Sequence, residues 1–375
     1  MKLLKHLVPA FVVLGALATG SSLRVRYVRT APHETPLVDR ARVDLENGVY
    51  VVLSGCFAES GEGAKLRIRA VTLSPSMEFV SEIERPSKID VIVTNVSSSD
   101  VKLVGAERTD SGESPATVRF SVALPARSRK EVELKAGAKG DLFSFYVLSD
   151  NHRNKHRVLE KIFADADTEK PLFVFNNGDL VNCGTPTQFE AQRSTLANLS
   201  VPYFSALGNH DVSEHGKDGK AYVDLFGPTH YSFAHGNSYF IIVDNATGYI
   251  SRKQLRWLRD ALQDGKRFAH TFVFAHQPPF DPRPGHHHCM KPLIAGAEAL
   301  MDLVEGAGVD FFFVGHLHTY YEMERNGVKY VISGGAGGKM KGPFPYHHYL
   351  VITVDRNDVR MRVRLLKTNS KYTGK

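Results

Sequence analysis

The most informative stretch of this sequence is FSFYVLSDNH, residues 143–152. Residues 143–148 are mostly apolar and rich in aromatic and β-branched side chains, which is typical of a buried β-strand. Asp150 and His152 follow, so a carboxylate and an imidazole stand directly after the predicted strand. This arrangement predicts metal-binding side chains at the carboxyl end of a strand.

The same arrangement recurs four times further along the chain. Predicted buried strands at 172–175, 203–207, 272–275 and 311–314 are followed by Gly178-Asp179, Gly208-Asn209-His210-Asp211, His276 and Gly315-His316-Leu317-His318. Amphipathic stretches between the strands predict helices over 155–166, 188–199, 252–262 and 294–304. Strands that alternate with helices predict an α/β domain, and in such sheets ligands bind beyond the carboxyl ends of the strands. The five polar clusters are therefore expected to converge on one site.

The donors in these clusters predict the kind of metal. Carboxylate, amide and imidazole groups together suit Mn, Fe, Co or Zn better than Ca or Mg alone. Seven donors exceed what one tetrahedral ion accepts, whereas two ions roughly 3.5–4 Å apart would use them all. Each histidine taken singly is better explained as a hydrogen-bonded structural residue, but the joint pattern favours a dinuclear site.

With these residues in place, the sequence resembles the calcineurin-like metallophosphoesterase superfamily. The signature D-x-H, G-D, G-N-H-D/E, H, G-H-x-H occurs in that order between residues 150 and 318. The resemblance implies a four-layer αββα sandwich, and β-rich segments at 328–332 and 349–366 extend the catalytic domain to residues 141–370. It also implies the ligand sets, which are Asp150, His152 and His318 for one ion, Asn209, His276 and His316 for the other, and Asp179 as the bridge.

The resemblance further implies hydrolysis of phosphate esters. Two cations make hydroxide available near neutral pH and neutralise charge on the phosphoryl oxygens. His210 is then expected to protonate the leaving group or to orient the phosphate. Asp211 is expected to pair with His210 and to favour its protonated form; the alternative for Asp211 is a turn or helix cap.

One departure separates this sequence from the purple acid phosphatases, which also carry an N-terminal β-sandwich. Those enzymes have a tyrosine ligand of ferric iron three residues after the bridging aspartate, where this chain has Asn182. The first motif also contains His152, where those enzymes have no histidine ligand. A ferric tyrosinate centre is therefore not expected.

The substrate is less well determined by the sequence. The Pro- and Gly-rich loop at 278–291 contains His286, His287 and His288, which are expected either to contact substrate or to lie on a solvent-facing loop. Asn182 is expected to line the same cleft. A phosphomonoesterase is slightly favoured, with a phosphodiesterase for cyclic nucleotides or glycerophosphodiesters as the alternative. The Asn-His-Asp motif does not decide between them, because it occurs among both phosphatases and phosphodiesterases of the superfamily. A non-catalytic surface protein is a more distant alternative, since no ligand of the pattern is missing.

The N-terminus predicts export. Lys2 and Lys5 precede an apolar run at residues 7–18, which ends in small residues. This pattern is typical of a secretory signal peptide, placed at residues 1–22, and the run is shorter than the roughly 20 residues that span a membrane. The protein is expected to be periplasmic or secreted, with an N-terminal membrane anchor as the alternative.

Residues 24–138 predict a small all-β domain of the immunoglobulin or fibronectin type. Short strands with alternating apolar residues recur at 66–71, 89–94, 118–122 and 132–134, and Asn47-Gly48 predicts a hairpin between flanking strands. No residue in this part indicates catalysis. A spacer, a partner-binding module and a wall of the active site are all consistent with it, and residues 136–140 predict the linker.

Composition excludes several classes of protein. The chain has 375 residues, which suggests two domains, and its 42% hydrophobic content excludes a disordered chain. The formal charge of +7 is spread without a basic block, so nucleic acid is not an expected partner, whereas small anionic phosphate esters are. Three cysteines leave at least one unpaired, and a disulfide between Cys183 and Cys289 is left open.

Overall fold

The structure is a computed structural model that describes residues 24–27, 41–45, 48–109, 115–137, 140–152, 157–197, 199–212, 219–291, 296–341 and 344–366. The expected signal peptide lies outside these ranges, as do Asn47 of the expected hairpin, two linker residues and the last residues of the expected catalytic domain. Across the described ranges, no helix has both the length and the apolar character needed to cross a bilayer.

The N-terminal part is a two-sheet β-sandwich. Its strands are β1 Arg24–Tyr27, β2 Ala41–Asp44, β3 Val49–Ser54, β4 Cys56–Glu62, β5 Lys65–Ala70, β6 Ser76–Ser81, β7 Ser87–Thr94, β8 Val101–Val104, β9 Glu107–Arg108, β10 Thr117–Leu124 and β11 Arg129–Ala136. One sheet has the order β1-β2-β3-β6-β11-β8 and the other β4-β5-β7-β10-β9. Buried side chains such as Val51, Phe79 and Phe120 form one core between them, because alternate residues of each strand face inward.

The C-terminal part is the expected α/β domain. Its strands are β12 Leu142–Leu148, β13 Val174–Asn176, β14 Tyr203–Ser205, β15 Tyr231–His235, β16 Ser238–Ile242, β17 His270–Phe274, β18 Phe311–Val314, β19 Tyr320–Arg325, β20 Val328–Ser333, β21 His348–Asp355 and β22 Asp358–Leu365. Its helices are α1 Val158–Glu169, α2 Pro186–Leu196, α3 Lys220–Phe226, α4 Arg252–Gly265 and α5 Ala297–Ala307. The sheets have the orders β14-β13-β12-β21-β22 and β15-β16-β17-β18-β20-β19.

The two sheets pack face to face between two layers of helices. Phenylalanines from both sheets fill the space between them, for example Phe145 against Phe272 and Phe175 against Phe274. Helices α1 to α3 bury apolar side chains on the outer face of the first sheet, and α4 and α5 do so on the second. The four-layer αββα sandwich expected from the resemblance is therefore confirmed.

The direction of the strands brings their ends together. Strands β12, β13 and β14 run parallel to one another, and so do β16, β17, β18 and β20. The loops after β12, β13 and β14 therefore leave one edge of the first sheet, and those after β17 and β18 leave an edge of the second. The side chains of all five loops meet where the two sheets face each other.

The sequence predicted four helices with displaced ends and missed α3. Helix α5 begins after Gly296 and ends before Gly308, both with left-handed backbones of φ +68° and +69°. These glycines fix its ends three residues later than expected. Helix α3 has seven residues between Gly219 and Gly227, too few to show a helical period. The hairpin of β15 and β16 was also missed.

Candidate metal centre

Each loop expected to carry a metal ligand does bring its side chain to the meeting point of the sheets. Asp150, His152, Asp179 and His318 each offer an atom within 4.8 Å of the others. Asp179, His276 and His316 form a second such group. Asn209 Oδ1 lies 2.9 Å from His276 Nε2, so the amide joins this second group. Asp179 belongs to both groups, as a bridging ligand must.

The donor atoms fit two cations. His152 Nε2 and His318 Nε2 approach to 3.0 Å, and Asp150 Oδ1 lies 3.3 Å from His318 Nε2. Asp179 Oδ2 lies 3.3 Å from His276 Nε2. Asp150 Oδ1 is buried and has no hydrogen bond of good geometry within the part of the chain that the structure describes. Buried oxygen and nitrogen atoms that face one another in this way are accounted for by metal ions between them, and the mixed donors suit Mn, Fe, Co or Zn.

Hydrogen bonds on the outer side of the site orient the imidazoles. His276 Nδ1 lies 2.9 Å from the carbonyl of Asn177, and His318 Nδ1 lies 2.9 Å from that of Lys339. When Nδ1 donates to a carbonyl, Nε2 is left unprotonated and free to bind a metal. The backbone therefore selects the tautomer that a ligand requires.

Five of the seven candidate ligands have left-handed backbones. The φ angles are +62° at Asp150, +47° at His152, +56° at Asp179, +70° at His316 and +49° at His318. Non-glycine residues rarely adopt this region, which costs of order 1–3 kcal/mol each, and such residues cluster at functional sites. Hydrogen bonds from Asp150 N to Gly178 O and from His152 N to Asp179 O hold the first loop in this conformation.

The buried carboxylates of the site favour the binding of positive charge. Burial opposes ionisation of Asp150, but the proximity of His318 outweighs it and holds the pKa of the Asp150 carboxyl well below its usual range. Burial likewise opposes the charged form of His276, but Asp179 outweighs it and raises the pKa of His276 to about 9. Burial also opposes ionisation of Asp179, but His276 outweighs it and lowers the pKa of that carboxyl. Two buried carboxylates that favour their charged form are suited to hold cations, such as divalent metal ions.

His210 has a different partner from the one expected. Its Nδ1 lies 2.9 Å from the carbonyl oxygen of Asn182, while Asp211 accepts hydrogen bonds from the backbone amides of Val181 and Gly208 at 3.0 and 2.9 Å. The expected pairing of Asp211 with His210 is therefore wrong, and Asp211 fills its alternative role of capping a turn. Burial, with the charge of Asp179 adding to it, raises the pKa of Asp211 to about 7.

The histidine-rich loop contributes one residue to the neighbourhood of the site. His288 stacks on His316, with ring centroids 4.2 Å apart and planes 8° apart. His286 and His287 are exposed. Asn182 reaches the site through its backbone carbonyl beside His210, and its side chain donates to Cys183 Sγ. Cys56, Cys183 and Cys289 are all free thiols, so the Cys183–Cys289 disulfide is not formed.

Sequence reasoning missed the residues that support the ligands from behind. Asn151, within the first loop, and Asn176, at the end of β13, are fully buried, and Gly338 N donates to Asp150 O at 2.7 Å. Asp281 accepts two hydrogen bonds from the Arg283 guanidinium and one from His288 N. The available signal for this support was an asparagine near the end of each of two predicted strands, Asn151 and Asn176. Neither is a fixed letter of the ligand signature.

Comparison with known proteins agrees with this geometry. Residues 143–320 match the family model described as calcineurin-like phosphoesterase. Purple acid phosphatase 15 of Arabidopsis thaliana is 27% identical over 259 residues, which cover 58% of this chain and 48% of that protein. Glycerophosphodiester phosphodiesterase GpdQ of Enterobacter lignolyticus is 27% identical over 169 residues, which cover 40% of this chain and 57% of that protein.

The fold has a solved counterpart that includes both parts of the chain. Purple acid phosphatase PPD1 from yellow lupin (Lupinus luteus) superposes with a TM-score of 0.53 at 13% identity, covering 88% of this chain and 79% of that one. At this identity the likeness concerns the fold alone. The chain spans about half the length of the curated relatives that it matches.

Proposed function

We propose that this chain, whose residues 143–320 match the calcineurin-like phosphoesterase family model, hydrolyses phosphate esters at a dinuclear metal centre. The observation that supports the proposal most is the convergence of Asp150, His152, Asp179 and His318 in one group and of Asp179, His276 and His316 in another, each within 4.8 Å. Asp179 is common to both groups, which is the requirement for two ions that act on one phosphoryl group.

The proposed mechanism assigns different roles to the metal ligands and to His210. Two bound cations would supply charge neutralisation at the phosphoryl oxygens and a nucleophilic water near neutral pH. His210 directs Nδ1 at the Asn182 carbonyl, so Nε2 is the nitrogen available to the leaving oxygen. The His210 ring meets that of His152 edge to face at 4.7 Å, which puts it beside the first ligand group. The proton for the leaving group is therefore assigned to His210.

We favour phosphomonoesters as substrates, with phosphodiesters as the second candidate. The relatives include one named as a phosphatase and one named as a glycerophosphodiester phosphodiesterase. The proposal also includes export, because residues 1–22 have the pattern of a signal peptide. Mass spectrometry of protein secreted by an expressing host would give the cleavage position.

The test uses the purified full-length chain loaded with Mn, Fe or Zn. We expect about two metal ions per chain, hydrolysis of p-nitrophenyl phosphate, and slower hydrolysis of bis-p-nitrophenyl phosphate. Asp179→Asn should lower both metal content and turnover. Faster turnover of the bis ester would select the diesterase, and less than one ion per chain at saturating metal would overturn the proposal.

A further inference from the structure

Buried hydrogen bonds connect the N-terminal sandwich with the loop that carries Asp150 and His152. They begin at Asn95, which follows β7 and is 7% exposed. Its Oδ1 accepts from Tyr203 N at 2.8 Å, and its Nδ2 donates to Tyr203 O at 3.0 Å and to Ala70 O at 2.8 Å. One side chain of the sandwich therefore binds both backbone polar groups of a residue in the catalytic domain.

The position of Tyr203 explains why this contact matters. Strand β14 is an edge strand of its sheet. Pro202 O and Ala206 N are bonded to β13, so the N–H and C=O of Tyr203 between them face away from the sheet. An edge strand needs partners for these groups. Asn95 supplies both of them, as a neighbouring strand would.

The hydrogen bonds continue from Tyr203 to the metal-binding loop. The Tyr203 hydroxyl accepts from Asn176 Nδ2 at 2.8 Å, and the same Nδ2 donates to Asn151 Oδ1 at 2.6 Å. Asn151 Nδ2 donates in turn to Leu180 O at 2.6 Å. Asn151, Asn176 and Tyr203 are at most 2% exposed, so water does not compete for these bonds.

Asn151 is the residue between Asp150 and His152, and both neighbours hold left-handed backbones. Such a conformation persists only where the surrounding structure enforces it. The side chain of Asn151 fixes the loop from below through three buried hydrogen bonds, to Leu180 O, from Asn176 Nδ2 and to Gln192 Oε1. A loss of the bond from Asn176 would let the loop relax toward ordinary φ values and move both ligands.

We infer that the N-terminal sandwich is a structural part of the metal centre, with Asn95, Tyr203, Asn176 and Asn151 acting as positioning residues for Asp150 and His152. This inference rests on the proposed function only in requiring that the chain bind metal ions. It assigns to the sandwich the stabilisation of one metal-binding loop, which is distinct from a spacer or a docking module.

The chain offers a matched control at the same interface. Arg193 of α2 donates to Glu59 of the sandwich at 2.6 Å, and Glu59 has a side chain that is only 6% exposed. This contact also joins the two domains, but within the described residues the hydrogen bond of the Arg193 guanidinium goes to Glu59 and not to the loop of Asp150 and His152. Removal of the Arg193 side chain should loosen the interface but leave in place the hydrogen bonds that run from Asn95 through Tyr203 and Asn176 to Asn151.

The experiment measures Mn(II) affinity of the full-length chain by competition with a chelating dye. Asn95→Gly removes the amide without backbone strain, because Asn95 has φ +62° and glycine adopts that region freely. Tyr203→Phe removes only the hydroxyl. Both variants should weaken Mn(II) binding by about 10-fold, the lower end of the effect of outer partners of metal ligands, while Arg193→Ala should change it by less than about twofold.

Thermal unfolding of every variant separates positioning from general stability. If Asn95→Gly and Tyr203→Phe bind Mn(II) as the unaltered chain does, the inference is overturned. It is equally overturned if Arg193→Ala weakens binding as much as they do, since any damage to the interface would then suffice. If the unaltered chain binds none of Mn, Fe and Zn, the proposed function fails and the inference fails with it. Tyr203→Phe keeps the test decisive should Asn95→Gly not fold.

Discussion

The imidazole of His288 lies parallel to that of His316, with 4.2 Å between their centroids and 8° between their planes. His276 meets the same His316 ring edge-on at 5.1 Å, so the His316 imidazole is held between two others. An aromatic pair of this kind contributes about 0.5–1.5 kcal/mol beyond its buried area. His288 therefore restrains a candidate metal ligand from outside the ligand set.

Replacing His288 with alanine should weaken metal binding moderately. We expect the dissociation constant for Mn(II) to rise about twofold to tenfold, the equivalent of the stacking free energy, with little change in thermal stability. The controls are His286→Ala and His287→Ala. Their side chains are exposed, as is that of His288, but the stack on His316 is made by His288, so their loss should leave the affinity unchanged. Equal effects of all three substitutions would contradict a specific role for the stack.

The charge of the Asp281 carboxylate should stabilise the loop at residues 278–291, which carries His288. Its carboxylate receives the Arg283 guanidinium at 2.8 and 2.7 Å and the His288 amide at 3.0 Å. Burial opposes ionisation, but Arg283 and the backbone amides outweigh it and lower the pKa of Asp281 to about 2. An aspartate in the unfolded chain has a pKa of about 3.9. The stabilisation, about 2 kcal/mol, is therefore complete above about pH 5 and is lost as the pH falls from about 4 to about 2.

Hydrogen exchange in residues 278–291, corrected for intrinsic rates, would measure this effect. Protection should fall between pH 5 and pH 3 in the unaltered chain. Asp281→Asn cannot titrate, so its loop should be less protected at pH 5 and should show no further loss over the same interval. Protection that is the same in both proteins at pH 5 would argue against the ion pair as the support of the loop.

The sequence predicted the fold and the convergence of the ligands because both follow from short-range patterns. Each ligand stands directly after a buried strand, and parallel strands bring such positions to one edge. The role of Asp211 could not be predicted in this way. Its side chain turns inward to the backbone amides of Val181 and Gly208, and the direction of a side chain in a loop depends on neighbours that no local pattern specifies.

The contact by which the sandwich supports the loop of Asp150 and His152 could not be predicted from the sequence either. Asn95 and Tyr203 are 108 residues apart and belong to different domains. An asparagine after a strand is usually read as part of a turn, and Asn95 does adopt a left-handed backbone. Only the packing of the sandwich against the edge of the catalytic sheet gives its amide a second role.

Thiol reactivity should reveal three separate cysteines. Cys183 is exposed and Cys289 half-buried, while Cys56 is buried, and burial raises the pKa of the Cys56 thiol to about 12. Because the thiolate is the reactive form, an aromatic disulfide reagent at pH 8 should titrate Cys183 first and Cys56 only on unfolding. Cys183→Ser should remove the fast phase. Absence of any fast thiol before reduction would indicate that Cys183 and Cys289 are bonded after all.

His210→Ala should reduce turnover according to the leaving group. An alkyl phosphate needs a proton on the departing oxygen, so kcat should fall about 10²- to 10⁴-fold. p-Nitrophenolate leaves without protonation, so the loss with p-nitrophenyl phosphate should be much smaller. Asp211→Asn is the matched comparison, because Asp211 caps a turn and its replacement should lower thermal stability without a dependence on the leaving group. Equal losses of His210→Ala with both substrates would exclude His210 as the proton donor.

Two glycines allow the close packing around the first ligand group to be tested directly. A Cβ atom at Gly338 would lie 2.8 Å from His318 Cε1 and 2.9 Å from His152 Cδ2, whereas one at Gly306 in α5 would meet nothing within 4 Å. Gly338→Ala should displace at least one imidazole and so weaken Mn(II) binding. Gly306→Ala should instead stabilise the fold by about 0.4–1 kcal/mol, since it lowers the entropy of the unfolded chain without a steric cost.

Chelator competition and urea unfolding on the same two proteins separate these effects. Gly338→Ala should lose affinity for Mn(II) by more than any change in its unfolding midpoint explains, while Gly306→Ala should gain stability at unchanged affinity. The backbone amide of Gly338 donates to Asp150 O at 2.7 Å, which prevents the segment from simply retreating from the histidines. Unchanged Mn(II) affinity in Gly338→Ala would mean that His152 and His318 tolerate displacement, and they would then not be ligands of one tightly held ion.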